Sequence, residues 1–232
     1  MSKQENKNNK IMSESEEYRN AGISKADAEK KPDEQQGIDI QGYIKIHDPE
    51  SGQVYVDKKN AIHYENFSVA LAQSIANRTT GFMEEMHFGN GGTTVDASGN
   101  ITYLTPNATG SNANLYNRTY YKTINDTSSS NNDTARNKLT VSHTTGNTYT
   151  DLIATCLLDF GEPAGQQAFD NTTTLNDTYV FDELGLFTYE GTAGEGKLLT
   201  HVIFHPVQKS LNRLIQIDYT IRIQSLTNFV DV

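Results

Sequence analysis

The sequence contains no tryptophan and a single cysteine, Cys156, among its 232 residues. One thiol cannot form an intrachain disulfide, and it excludes zinc sites that are built from several cysteines. Cys156 lies inside the apolar run 152–158, a position that predicts a small buried side chain. We therefore expect the chain to be assembled in a reducing cytoplasm.

Long hydrophobic runs and an excess of basic residues are also missing. No stretch approaches the roughly 20 apolar residues that a membrane-spanning helix needs, and the polar start of the chain, 1–10, lacks the apolar core of a secretory signal. We therefore expect neither a membrane span nor an export signal. Because phosphate contacts need clustered Lys and Arg, the formal net charge of -10 argues against direct binding of nucleic acid.

Residues 1–37 contain no Leu, Val or Phe, and they mix seven basic with eight acidic side chains. Such a segment buries too little apolar surface to offset the entropy cost of ordering it. The composition predicts a flexible N-terminal arm on a folded domain that spans 38–232. The arm is either a solvated tail or a clasp that binds neighbouring subunits.

The first part of the folded domain is predicted to contain a hairpin and a helix. Two apolar stretches within 38–56 flank the turn Asp48–Gly52. A helix is predicted over Tyr64–Asn77, with its buried face formed by Phe67, Ala70, Leu71, Ser74 and Ile75. A short strand, Phe82–Phe88, follows it.

Asn, Thr, Ser and Gly dominate the middle of the chain, and regular alternation returns after it. About 93–150 is predicted to form long loops, with strand-like content only in Leu115–Ile124 and Lys138–His143. Four later segments are predicted strands: 152–160, 179–189, 198–205 (ending at Pro206) and 215–223. Several strands, polar loops and one helix predict a mainly β fold, an antiparallel β-sandwich with one short α-helix.

No motif predicts catalysis, and we expect no enzyme, no cofactor and no metal site. Gly89–Gly92 resembles a phosphate loop but lacks its Gly-Lys-Ser/Thr ending, so a close-packed loop is favoured. His201 and His205 are separated by four residues, too far along a strand to share a metal ion. The carboxylates Glu84–Glu85 and Asp182–Glu183 suggest no sugar-cleaving pair, and the second pair is expected at a strand edge.

The chain carries repeated Asn-x-Ser/Thr triplets, which are interpreted as a by-product of its composition. Examples begin at Asn107, Asn117, Asn125, Asn132, Asn171 and Asn176. Because amide and hydroxyl side chains suit carbohydrate hydroxyls, a receptor- or glycan-binding module is one alternative function.

The order of several segments resembles a group of tailed-bacteriophage virion proteins. These segments are the Asn-containing opening 59–66, the short helix, the glycine-ended strand 86–92, the Glu-x-Gly-Leu-Phe segment 183–187 and the Phe-x-Pro-x-x-Lys segment 204–209. The resemblance consists of scattered anchors over 55–224 and leaves 101–150 unmatched. Lys209 is expected to pair with an acidic strand edge.

The resemblance implies a structural role in the virion, near the neck, collar, tail or baseplate, often where fibres attach. The expected partners are other virion proteins and further copies of the chain, bound through the arm 1–37. A capsid decoration protein is a second alternative. A hydrolase is the third class of function, and it is the least favoured.

Overall fold

The computed structural model describes residues 37–163, 178–210 and 212–226. Apart from Gly37, Ser225 and Leu226, these residues belong to one compact unit, Ile38–Gln224. The predicted arm lies outside the described residues, except for Gly37. The elements are β1 (Gly37–His47), β2 (Val54–Lys59), β3 (Ala61–Ile62), α1 (Tyr64–Ile75), β4 (Met83–Gly89), β5 (Thr93–Val95), β6 (Ile101–Tyr103), β7 (Arg118–Thr123), β8 (Lys138–Ser142), β9 (Tyr149–Leu158), β10 (Thr178–Thr188), β11 (Leu198–Ser210) and β12 (Ile215–Leu226).

Two five-stranded antiparallel sheets pack face to face. Sheet 1 has the strand order β2-β1-β12-β9-β8, sheet 2 has the order β3-β11-β10-β4-β7, and β5 pairs with β6 as a separate hairpin. The core between the sheets holds side chains such as Ile44, Phe88, Leu184 and Tyr219, all with no solvent exposure. The predicted fold, a mainly β sandwich with one short helix, is confirmed.

The period-2 pattern of β12 explains how sheet 1 meets the core. Ile215, Ile217, Tyr219 and Ile221 are fully buried, and the polar residues between them face outward. Strand β9 pairs with β12 in unbroken register, which places Cys156 opposite Ile217. Burial raises the pKa of the Cys156 thiol to about 12, so this side chain is the buried apolar group that the sequence predicts.

Strand β11 continues through Pro206 to Ser210, so the prediction that it ends at Pro206 is wrong. Phe181 pairs with Val207, and Glu183 pairs with Ile203. Three residues of β11 therefore lie opposite one residue of β10. Proline has no N–H to donate, and it is tolerated in a strand where a bulge interrupts the ladder.

Helix α1 is buried only along its first half. Phe67 and Ala70 are buried as predicted, and Asn66 Nδ2 donates to the Leu198 carbonyl at 2.9 Å. The prediction is wrong for the last turn, since Ser74 is exposed and 78% of the Ile75 surface is exposed. Helical periodicity locates an apolar face, but the length of the partner surface decides how much of that face is covered.

The loop 104–117, which joins β6 to β7, covers the outer face of sheet 2. Its Leu115 packs with Phe187 and Leu198 in a second apolar cluster, separate from the main core. Every residue of β4 is buried, on both faces of the strand. Sheet 2 is therefore an inner layer, and buried acidic and histidine side chains of the described residues lie on it.

Candidate functional site

Asp182 and Glu183 lie in the middle of sheet 2, so the expectation that they occupy a strand edge is wrong. Their strand, β10, has β11 on one side and β4 on the other. The two residues are only 4% and 0% exposed. A buried carboxylate is costly unless it is paired or hydrogen bonded, so its partners determine its role.

The glycine loop Gly89–Gly92 donates backbone N–H groups to these carboxylates. Gly91 N–H donates to Glu183 Oε1 at 3.0 Å, and Gly92 N–H donates to Asp182 Oδ1 at 2.9 Å. Successive N–H groups of this kind form an anion site, and here the chain's own carboxylates occupy it. The loop is also close-packed as predicted, since a Cβ on Gly89 would lie 2.5 Å from the Asn117 carbonyl oxygen.

Glu183 also holds the end of the loop 104–117. Asn117 N–H donates to Oε1 at 2.8 Å, while Tyr116 N–H and His201 Nε2 lie 2.9 and 3.0 Å from Oε2. Burial alone would raise the pKa of Glu183, but the hydrogen bonds from His201, Asn117, Tyr116 and Gly91 outweigh it and lower the pKa below the usual value. Glu183 is therefore an ionised internal anchor.

Asp182 anchors the start of β5. Thr93 donates both its N–H, at 2.9 Å, and its hydroxyl to Asp182 Oδ2. Burial is the largest influence on this carboxyl group, and it raises the pKa of Asp182 despite these hydrogen bonds. The fold therefore stabilises the ionised form of Glu183 and disfavours the ionised form of Asp182.

Two buried histidines hold the loop 104–117 from the side of the sheet. His201 Nδ1 accepts from Asn107 N–H at 2.8 Å, and His63 Nδ1 accepts from Asn66 N–H at 3.2 Å. A ring nitrogen that accepts from an N–H carries no proton, so both imidazoles are neutral with hydrogen on Nε2. His201 therefore donates to Glu183, and His63 donates to the Gly110 carbonyl at 2.9 Å. His205 is exposed, so it does not share this site.

A second acid–histidine pair lies on β4. Glu85 Oε2 lies 2.8 Å from His87 Nε2, and Gly194 N–H donates to the same carboxylate at 3.0 Å. The His87 ring stacks on Phe187 with 3.7 Å between ring centroids. Burial lowers the pKa of His87 and favours its neutral form. Like Glu183, Glu85 joins the sheet to a covering loop.

A polar cleft of about 300 Å³ opens at the side of the sandwich, away from these buried pairs. One wall is β7, the edge strand of sheet 2, and the other walls are the loop from β7 to β8 and the residues after β9. We call it the side cleft. It is lined by Tyr120, Tyr121, Lys122, Thr123, Ser130, Asn131, Asn132, Asp133, Arg136, Asn137, Asp159 and Glu162.

The charged groups of the side cleft are paired with one another. Lys122 Nζ donates to the Leu157 carbonyl at 2.7 Å and forms an ion pair with Glu162. Arg136 forms ion pairs with Asp133 and, at 2.6 Å, with Asp159. Both cations of the cleft therefore have acidic partners, and no cation is left over for an anionic ligand.

The remaining polar groups of the side cleft include neutral side chains that are available to a ligand. Within the described part of the chain, the side chains of Ser130 and Asn132 and the hydroxyl of Tyr120 make no hydrogen bond. Burial raises the pKa of Tyr120, so its hydroxyl remains protonated. The cleft thus presents hydroxyl and amide groups beside internally neutralised charges.

Apolar side chains are exposed along one side of α1. Tyr64 and Ile75 are 59% and 78% exposed, and Leu71 lies half-buried between them. Positions i, i+7 and i+11 share one face of a helix, so we call these three residues the helix strip. Tyr64 OH also donates to the Ile40 carbonyl at 3.4 Å, which places the strip beside the start of β1.

The sequence did not predict the internal carboxylate anchors, the side cleft or the helix strip. Each anchor joins residues far apart along the chain, such as Gly91 and Glu183, and no local pattern indicates that pairing. One signal for the side cleft was present in the Asn/Ser-rich composition of 125–137. The exposure of Ile75 contradicts its periodicity, and only the packing of α1 reveals it.

The described residues include no helix both long and apolar enough to cross a membrane. They also contain no cluster of three or more His, Cys, Asp or Glu side chains placed to hold a metal ion. In comparisons with known proteins, no family model, no curated protein and no solved structure matches this chain.

Proposed function

We propose that the chain is a non-enzymatic structural subunit of a tailed-phage virion. It serves as an adaptor of the neck, collar, tail or baseplate that oligomerises and links neighbouring proteins or fibres. The observation that carries the assembly part of the proposal is the helix strip, an exposed apolar surface on a folded sandwich. The virion part rests on the ordered segments described above.

The segments that carry the resemblance occupy supporting positions in sheet 2. A Cβ on Gly185 would lie 2.7 Å from the Thr200 carbonyl oxygen, so that strand position needs glycine. Lys209 is fully buried and donates to the Ser210 carbonyl at 2.9 Å. Contrary to expectation, no acidic side chain among the described residues forms an ion pair with it. Because these anchors are internal, contacts with other subunits need a different surface.

The helix strip supplies such a surface. Burial of one exposed Ile or Leu side chain contributes on the order of 1.5–3 kcal/mol to association before entropy costs are subtracted. A ring of identical subunits repeats one heterologous contact, so a small apolar strip acts many times in one assembly. The arm 1–37 would add a second contact by clasping neighbouring subunits.

The first test measures the oligomeric state of the full chain by size-exclusion chromatography with light scattering. We expect oligomers that Ile75→Lys shifts to monomer, since a lysine cannot be buried in an apolar contact without a partner. Val69→Lys is the matched control, because Val69 is 41% exposed on another side of the same helix. A monomeric wild-type chain at all concentrations, or oligomers that persist in Ile75→Lys, would contradict the proposed assembly.

The second test measures copy number in purified particles of the phage that encodes the chain. Quantitative mass spectrometry should find a few to tens of copies per particle, as expected for a ring of adaptors. Hundreds of copies would favour a capsid decoration protein instead. Absence of the chain from intact particles would refute the virion role.

A further inference from the structure

We infer that the side cleft binds a neutral saccharide. This proposal is independent of the helix strip and of the assembly proposed above. It rests on the pairing of charges in the cleft, on its unpaired hydroxyl and amide groups, and on its lack of aliphatic side chains.

The pairing of charges decides which ligands the cleft favours. Lys122 is paired with Glu162, and Arg136 lies between Asp133 and Asp159. The lining holds two cations and three anions, so an anionic ligand would have to break an existing ion pair. An uncharged ligand keeps every pair intact.

The unpaired groups decide the chemistry of that ligand. Ser130 and Asn132 present donors and acceptors that complement the hydroxyl groups of a ligand, and the hydroxyl of Tyr120 adds another. A neutral molecule with many hydroxyl groups complements this lining, and saccharides are the class of molecule that carries them.

The cleft is held in shape before any ligand binds. Asn131 Nδ2 donates to the carbonyls of Asn125 and Asn137 at 3.1 and 2.9 Å. The fully buried Asn137 accepts from Leu157 N–H at 2.9 Å, which ties the loop to β9. Because the loop is already ordered, binding costs little conformational entropy. The volume of about 300 Å³ lies at the lower end of the range for small-molecule sites and suits a mono- or disaccharide.

An extended peptide is the main alternative ligand, because β7 is an edge strand with one open side. Recognition of a peptide by strand addition also needs pockets for alternate side chains. The lining of the side cleft contains no Ala, Val, Leu, Ile, Met or Phe that would form an apolar pocket. The observed lining therefore favours a saccharide.

The test is calorimetric titration of the full chain with neutral and acidic oligosaccharides, supported by saturation-transfer NMR. The probes are oligomers of glucose, galactose, mannose or N-acetylglucosamine, and uronic-acid or sialic-acid counterparts of similar length. We expect at least one neutral series to bind at micromolar to millimolar concentration and its acidic counterpart to bind at least tenfold more weakly. Asn132→Ala and Ser130→Ala should each weaken binding about tenfold or more.

The matched control is Asn112→Ala, which removes an exposed amide of the loop 104–117 that also makes no hydrogen bond among the described residues. Its affinity should equal that of the wild-type chain, and thermal unfolding of each variant checks that the fold is intact. Three results would overturn the proposal: no neutral saccharide binds, acidic saccharides bind better, or both cleft variants retain full affinity.

Discussion

Replacement of Glu183 by glutamine isolates the contribution of its charge to the stability of the fold. The carboxylate accepts hydrogen bonds from Gly91 and Asn117 at one oxygen, and from Tyr116 and His201 at the other. Glutamine keeps one acceptor oxygen and directs an NH₂ group at the two remaining donors. Two donors therefore lose their acceptor, whichever way the amide is turned.

The expected loss of stability follows from these two bonds. A hydrogen bond to a charged group contributes about 1.5–3 kcal/mol, so two of them contribute roughly 3–6 kcal/mol. Partial relaxation of the loop 104–117 reduces this, and we expect the free energy of unfolding to fall by about 3–5 kcal/mol, as when one partner of a buried pair is removed. Urea unfolding monitored by tyrosine fluorescence measures it. Glu50→Gln, in the exposed hairpin turn, is the control and should stay within about 0.5 kcal/mol.

The pH dependence of the same variant provides a second measurement. Because the folded pKa of Glu183 lies below its unfolded value, its contribution is fully present above the unfolded pKa and is lost as the pH falls through the folded one. Asp182 has a raised pKa and acts in the opposite direction, so it does not produce this loss. Glu183→Gln should therefore lose less stability on acidification than the wild-type chain. Equal stability at neutral pH, or an unchanged acid profile, would refute the role of Glu183 as a charged anchor.

Three further predictions test other parts of the fold. Gly89→Ala should cost about 1–3 kcal/mol of unfolding free energy by overpacking, while Gly161→Ala, which meets no atom within 4 Å, should be near neutral in the same urea assay. NMR of ¹⁵N-labelled protein should show His201 as the Nε2–H tautomer at neutral pH; a protonated Nδ1 would contradict its bond from the Asn107 N–H. Burial lowers the pKa of Lys209 to about 8, so wild-type stability should rise as the pH increases through that value. Lys209→Met should remove that rise, and an identical rise in both proteins would argue against it.

Local patterns predicted the sandwich because they depend on neighbours along the chain. The alternation in β12 gave its buried face, and the polar turn Asp48–Gly52 gave the first hairpin. The same local rules failed at Pro206 and at Ile75. In both cases the outcome depends on another element. At Pro206 a bulge against β10 lets the strand continue, and at Ile75 the surface that covers α1 ends before the last turn of the helix.

The sequence by itself determined the fold class, the helix, the buried thiol at Cys156 and the charge balance, since each follows from side-chain type and spacing. The tertiary structure alone decided what the polar residues do. The glycine loop 89–92 and the carboxylates 182–183 are about 90 residues apart along the chain, yet they form one internal anion site. The physical reason is that a buried carboxylate must find hydrogen-bond donors, and packing of the loops on sheet 2 determines which N–H groups are near.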